Sequence, residues 1–127
     1  MYKSMTPNLM VENVDTTVAF YQDILGFSMI DSMPSDKGEV KWALIQKDEV
    51  QLMLQEKENL IEEYPILSTA KLQPSLSLYM MVGDFDQLYE DIKSKHTILK
   101  DVNVTSYGLT EFAIADNNGY VLTFSKA

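Results

Sequence analysis

Glu111 and His96 are the side chains of this sequence whose types suggest acid–base chemistry. His96 is the only histidine and follows a predicted helix, and no pattern places a reactive serine beside it for serine–histidine–aspartate catalysis. Glu111 lies in the strand pattern TEFAIA (110–115), where Phe112 and Ile114 take the apolar face. Glu111 is therefore expected on the opposite face, either as a base facing a cavity or as a paired or solvent-facing carboxylate at a sheet edge.

Composition excludes several other kinds of chemistry. The chain has no cysteine, which removes disulfides, thiolate metal sites and cysteine nucleophiles. It has 10 basic and 19 acidic residues, a net charge of −9, which disfavours a nucleic-acid partner. No apolar run approaches the roughly 20 residues of a membrane span, so no membrane association is expected. The first residues lack the apolar core of a signal peptide, and a cytoplasmic protein is predicted.

The elements that must position these residues are predicted as βαβββ in the first half. Leu9 and Val11 alternate with polar neighbours in a first strand, and Asn13 or Asp15 can cap the helix that follows. Gly26 stands where that helix should end. Strands are expected at 27–33, 40–46 and 50–55, with a turn at 34–38.

The second half repeats this order, so that Val11 corresponds to Val82. Strands are expected at 76–82, 98–106, 110–115 and 120–125. Asp84 is expected to cap the helix, with Gln87 completing a capping box, and Asn118-Gly119 predicts a tight hairpin. Residues 57–74 form the long connection, with a short helix possible. They either only link the halves or also pack over an opening as a flap.

Strand alternation predicts two different faces for each sheet. One is apolar and should form the core: Leu9, Val11, Val50, Leu52, Leu54, Leu76, Leu78, Met80, Val82, Leu122 and Phe124. The other mixes small, polar and methionine side chains, which favours a semi-polar cavity over an ordinary solvent-facing sheet. The predicted ligand-binding set comprises Asn8, Met10, Trp42, Gln51, Met53, Ser77, Tyr79, Met81, Glu111 and Thr123.

Two stretches, NVDTTVAFYQDILGF and EFAIADNNGYVLTF, resemble the two signatures of the vicinal oxygen chelate superfamily. This superfamily includes glyoxalase I, the bleomycin-resistance proteins and the extradiol dioxygenases. The resemblance covers essentially the whole chain. It implies an α+β fold with two βαβββ modules, each a curved mixed sheet with a helix on its outer face, forming a cup-shaped cavity. It also implies one domain over 1–127 (module 1 about 5–56, linker about 57–74, module 2 about 75–127) and a homodimer.

The resemblance further implies where metal ligands would stand. Counting from the caps and the hairpin glycine gives Thr6, Ser77 and Thr123, with Gln51 as the fourth position, or Met53 if the register shifts. Neutral hydroxyls and one amide are poor ligands for a divalent ion, so no metal and no cofactor are expected. His96 is far from these positions in the pattern.

These observations favour binding over catalysis. The predicted function is a metal-free small-molecule-binding protein of the glyoxalase and bleomycin-resistance type, holding an aromatic or amphipathic organic ligand in the sheet cavity. The alternative is a glyoxalase-type lyase, isomerase or dioxygenase with an atypical active site. A third possibility is an interaction module with no small ligand. The ligand positions distinguish the first two, because the enzymes usually depend on the metal.

Overall fold

The computed structural model describes residues 1–34 and 36–127, which divide into two compact units, Met1–Leu72 and Gln73–Ala127. Part of the turn predicted at 34–38 lies at position 35, outside the described residues. Each unit contains one four-stranded mixed sheet and a helix in the βαβββ order, so the predicted α+β architecture of two modules is confirmed.

The first unit begins with strand β1 (Asn8–Val11) and helix α1 (Val14–Leu25). Strands β2 (Ser28–Pro34), β3 (Val40–Lys47) and β4 (Val50–Glu56) follow, then helix α2 (Lys57–Glu63) and a short 3-10 turn, Pro65–Leu67. The strand order is β1-β4-β3-β2, with β1 parallel to β4 and the other pairs antiparallel.

The second unit has the same topology. It comprises β5 (Ser77–Val82), α3 (Phe85–Lys93), β6 (Lys100–Val104), β7 (Thr110–Ala115) and β8 (Val121–Lys126). The strand order is β5-β8-β7-β6, and β5 runs parallel to β8. The first and last strands of each module are therefore neighbours, which places their side chains on one continuous surface.

Helix α1 begins and ends as its sequence predicts. The Asn13 side-chain oxygen accepts a hydrogen bond from the Thr16 N–H at 2.8 Å, which satisfies one of the free donors of the first turn. Gly26 ends the helix with a left-handed φ of 75°, and its N–H donates to the Gln22 carbonyl at 3.1 Å.

Helix α3 begins differently, and the predicted capping box is wrong. Asp84 occupies the N-cap position, but its side chain makes no capping bond within the described part of the chain. Its ψ of 42° departs from the extended backbone that carries a cap oxygen over the first turn. Gln87 instead donates to the Asp91 carboxylate at 2.8 Å, one helical turn further on.

Of the eleven predicted core residues, six are buried, four are half-buried and one is exposed. Six of its members are less than a tenth exposed: Leu9, Val11, Leu52, Leu54, Leu122 and Phe124. Leu76 is 44% exposed because it precedes β5 instead of lying within it. Four others are only half-buried: Val50, Leu78, Met80 and Val82. In the second unit Phe112 stacks on Phe124 at 5.0 Å and meets Phe85 edge-on at 5.3 Å.

Most of the predicted linker, residues 57–72, belongs to the first unit. Leu60 on α2 is buried, and Lys57 donates to the Ala70 carbonyl at 3.1 Å, which holds the later part of the segment to the helix. Helix α2 packs against β4 and β1. No helix in residues 1–34 and 36–127 has both the length and the apolar character needed to span a membrane.

Candidate functional site

The face of the first sheet opposite its buried side chains carries the mixed residues that alternation predicts. In the β1–β4 pair Asn8 lies beside Met53, and in the β3–β4 pair Trp42 lies beside Gln55. Their chain neighbours, such as Leu9 and Leu54, are fully buried on the other side. The strand register therefore brings three predicted ligand-binding residues to one surface.

This surface forms a concavity of about 510 Å³ within the first unit. Its lining includes Asn8, Met33, Trp42, Met53, Gln55, Asn59 and Glu63. The aromatic ring and the two thioethers offer apolar contact, while the amides and the carboxylate offer hydrogen bonds. Asn59 and Glu63 come from α2, and the sequence does not predict their contribution because residues 57–74 have the composition of a connection. Their spacing of one helical turn was the available signal.

An amide network ties α2 to this face. Gln55, only 6% exposed, accepts from the Asn8 amide at 2.8 Å and donates to the Asn59 side-chain oxygen at 2.7 Å. It also donates to a Glu63 carboxylate oxygen at 3.4 Å. Because a buried amide without partners would be costly, this network holds Gln55 on the sheet and fixes the direction in which α2 presents its polar side chains.

The corresponding face of the second sheet contains a buried carboxylate. Glu111 pairs with Ser125 across β7 and β8, and Tyr79 pairs with Thr123 across β5 and β8. A concavity of about 270 Å³ lies on this face. Its lining consists of Leu99, Lys100, Asn103, Glu111, Phe112, Ala113, Val121 and Thr123.

Two tyrosines donate hydrogen bonds to Glu111, which is 8% exposed. The Tyr79 phenol lies 2.8 Å from one carboxylate oxygen, and the Tyr107 phenol lies 3.4 Å from both. Tyr107 stands in a short loop closed by a hydrogen bond from the Thr105 N–H to the Leu109 carbonyl at 2.8 Å. Sequence reasoning found Glu111 and Tyr79 by alternation but missed Tyr107, because loop residues follow no strand periodicity.

The surroundings of Tyr79 keep its phenol protonated. The Ser125 hydroxyl acts to lower the pKa of Tyr79, but the hydrogen bond to Glu111, desolvation and the charge of Glu111 together raise that pKa above its ordinary value. The Ser125 hydroxyl is fully buried and has no hydrogen bond of acceptable geometry to any described residue. The Tyr79 phenol, the Glu111 carboxylate and the unsatisfied Ser125 hydroxyl are therefore neighbours on this face.

Four predicted ligand-binding residues lie on the same faces but outside the linings of the two concavities. Gln51 is exposed and donates to the Gln46 side chain at 2.9 Å. Met10 is half-buried, Ser77 is exposed, and Met81 is 65% exposed.

The residues at the family's metal positions do not fit a divalent ion. Asn8 corresponds to Tyr79, and the ladders pair these residues with Met53 and Thr123. The first-module counterpart of Thr123 is therefore Met53, the alternative named above, instead of Gln51. Together with Thr6 and Ser77 this gives three hydroxyls and a thioether, none anionic. No group of three or more His, Cys, Asp or Glu suited to a metal occurs among the described residues.

His96 lies away from these residues, in a concavity of about 520 Å³ with Tyr89, Lys93, Ser94, Lys95, Thr97, Ile98 and Asp101. Its Nε2 lies 2.9 Å from the Ala115 carbonyl, to which it donates in the corresponding tautomer. The histidine therefore ties the segment after α3 to the end of β7.

The fold and this arrangement of faces define a class of protein. The profile of the Glyoxalase/Bleomycin resistance protein/Dioxygenase superfamily matches residues 5–124. The chain belongs to that superfamily, as the two sequence signatures indicated. No curated protein matches the sequence.

Solved structures share the fold at low sequence identity. A glyoxalase-related enzyme from Clostridium phytofermentans is 18% identical with a TM-score of 0.79, over 100% of this chain and 96% of its own. TioX from Micromonospora sp. ML1 is 14% identical with a TM-score of 0.75, over 98% of each chain. A bleomycin-binding protein, solved in complex with bleomycin, is 20% identical with a TM-score of 0.68, over 99% of each chain. At these identities the likeness establishes the fold alone, because one fold supports many activities.

Proposed function

We propose that this protein binds an aromatic or amphipathic organic molecule on the open faces of its sheets, without a catalytic metal ion. The observation that carries this proposal is the wall of the first concavity. There the Trp42 ring and the thioethers of Met33 and Met53 lie beside an ordered amide network. Small-molecule sites typically combine apolar lining with a few placed polar groups in this way.

The chemistry of the metal positions supports the same proposal. Met53, Thr6, Ser77 and Thr123 would leave the dehydration cost of Zn²⁺, Ni²⁺, Mn²⁺ or Fe²⁺ without anionic or imidazole compensation. The bleomycin-binding protein with this fold is solved with its drug bound, which supports a binding role for the present chain by analogy.

A glyoxalase-type enzyme is the second candidate, and the Glu111–Tyr79 pair favours it. A carboxylate beside a protonated phenol can accept a proton from a carbon acid while the phenol donates to the developing oxyanion. An enzyme of this kind would turn over a bound carbonyl compound, and Glu111→Gln would abolish turnover while preserving binding. A binding protein would release every bound molecule chemically unchanged.

Three further features form part of the proposal. Both modules act as one functional domain, with module 1 at about 5–56, a linker at about 57–74 and module 2 at about 75–127. Two chains associate as a homodimer with two equivalent cavities. The protein works in the cytoplasm. Sedimentation at tens of micromolar would contradict the second feature if it found a monomer.

Trp42 provides a direct test, because it is the only tryptophan and lines the first concavity. Protein purified from its source without added metal is first analysed by native mass spectrometry. The mass of the intact complex gives the oligomeric state, any bound metal and any retained ligand. A library of aromatic and amphipathic compounds is then titrated against Trp42 fluorescence. Saturable quenching with a defined stoichiometry is expected. Ile66→Ala, at a position that is 93% exposed and outside the lining of the first concavity, serves as the control. A library that produces no saturable change would contradict the proposal.

A further inference from the structure

Glu111 is a buried carboxylate that forms no ion pair with any described residue. Its side chain is 8% exposed, yet it takes part in none of the ion pairs found among the described residues. Two phenols supply its hydrogen bonds, and a phenol carries no positive charge. Removing an ionised carboxylate from water is unfavourable unless an opposite charge compensates it, so this site would gain from a positively charged partner.

We propose that Glu111, flanked by Tyr79 and Tyr107, anchors the protonated amine of a ligand bound on the open face of the second sheet. This inference rests on the proposed binding function and adds to it the charge of the ligand at that face. An ammonium N–H would donate to the carboxylate in a charge-assisted hydrogen bond, which is shorter and stronger than a bond between neutral groups. The two phenol rings, 50% and 65% exposed, provide faces that attract cations.

Ser125 offers the Tyr79 phenol a second hydrogen-bond partner when an amine binds to Glu111. The Tyr79 phenol now donates to Glu111 at 2.8 Å, while the neighbouring Ser125 hydroxyl is fully buried and lacks a partner in the described structure. When an ammonium group takes over the carboxylate oxygen, the phenol can turn its hydrogen to Ser125. The hydrogen bond lost by Tyr79 is then replaced within the site, and a buried unsatisfied hydroxyl gains a partner.

Lys100 opposes the amine only weakly. It lines the same concavity as Glu111, but it is exposed and pairs with Ala113 on the strand ladder, two residues along β7 from Glu111. Its ammonium group is therefore well hydrated, and its repulsion is screened by solvent. The net charge of −9 adds a long-range attraction for cations.

Three probes of matched shape test the charge: 2-naphthylmethylamine, 2-naphthylmethanol and 2-naphthoate, titrated by calorimetry and by amide NMR shifts on β5 and β7. The amine should bind about 10-fold more tightly than the alcohol. Glu111→Gln should remove that preference by weakening amine binding about 10-fold, since glutamine can still accept from Tyr79 but carries no charge. Lys100→Gln should leave the amine affinity equal or higher.

The outcomes separate this inference from the proposed function. Equal binding of amine and alcohol, tighter binding of naphthoate, or a preference that survives Glu111→Gln would overturn the amine anchor and leave small-molecule binding intact. Absence of amine binding at millimolar concentration, with Trp42 still quenched by another compound, would also overturn it. If Glu111→Gln does not fold, the wild-type preference together with contacts from the amine to the Tyr107 ring decides the matter.

Discussion

The phenol of Tyr79 reaches the carboxylate of Glu111 at 2.8 Å although β8 lies between their strands. The side chain therefore crosses over β8 on the open face of the second sheet, above the position where Ser125 is buried. One hydrogen bond thus joins the two strands that are not direct neighbours in the order β5-β8-β7-β6.

Replacing Tyr79 with Phe should lower stability and also free Glu111 for a cation. The variant loses the short hydrogen bond and leaves Glu111 with the 3.4 Å contacts to Tyr107. We expect a lower urea midpoint than for Tyr107→Phe, the matched control, which removes only long contacts. A larger loss in the control would show that the 2.8 Å bond is not the principal partner of Glu111.

The same pair predicts how stability varies with pH. Despite the opposing effect of Ser125, Glu111 raises the pKa of Tyr79 above its ordinary value of 10.0. A raised pKa in the folded state gives stability that is present below pH 10 and is lost as the pH rises through the folded-state pKa. In urea unfolding, the difference in the free energy of unfolding between wild type and Tyr79→Phe should therefore become smaller above pH 10. A difference that grows above pH 10 would contradict this prediction.

Replacing Phe124 with Ala should destabilise the second unit by about 3–5 kcal/mol, because a buried aromatic side chain leaves a cavity. Phe124 is 4% exposed and stacks on Phe112 at 5.0 Å. Met81→Ala on the open face should change the free energy of unfolding by less than about 0.5 kcal/mol. Denaturant unfolding measures both. Similar costs would mean that the two faces have been assigned wrongly.

Replacing Gln55 with Ala should loosen α2 from its sheet. The change deletes the partner of Asn8 and Asn59 and should cost about 1–3 kcal/mol. Hydrogen exchange at the amides of α2 should accelerate more than exchange at α1. Gln51→Ala is the control, since that amide is exposed and bonds only to Gln46 among the described contacts. Unchanged exchange in α2 would show that the Gln55 network does not hold the helix on the sheet.

Titration with Zn²⁺, Ni²⁺, Mn²⁺ and Fe²⁺ should produce no stoichiometric binding tighter than about 10 μM, roughly 7 kcal/mol of binding free energy. The positions Thr6, Met53, Ser77 and Thr123 offer no anionic ligand. Calorimetry and thermal melting measure the effect. Tight binding that disappears in a Met53→Ala, Thr123→Ala double variant would sink the prediction. Binding that survives that variant would indicate another surface site.

Most of the fold could be predicted because its determinants are local in sequence. The strand period of two predicts that Leu9 and Val11 face the core while Asn8 faces the other way. The cap residue Asn13 and the left-handed Gly26 predict the two ends of α1. Asp84 shows where local patterns fail, since a side chain of the correct type caps a helix only if its backbone adopts the required angles.

The candidate site could be predicted only in part. Alternation identified Glu111, Tyr79, Trp42 and Met53, because one strand decides which face each occupies. Asn59, Glu63 and Tyr107 come from a helix and a loop whose positions depend on packing with distant strands. In the first module, the counterpart of Thr123 is Met53 and not Gln51, for a similar reason. The register of parallel strands is set by strand pairing, and counting from a turn does not determine it.

The loop that carries Tyr107 has a consequence for timing. Its backbone is closed by Thr105 and Leu109, and Gly108 adopts a left-handed φ of 85° that lets the chain turn back within a few residues. Glu111 can therefore be exposed on the side of Tyr107 by rotation of the Tyr107 side chain, without movement of the loop. Such rotations take picoseconds to nanoseconds, whereas loop rearrangements are slower. The association rate of a ligand at Glu111 should accordingly be set by diffusion and charge, and not by opening of a gate.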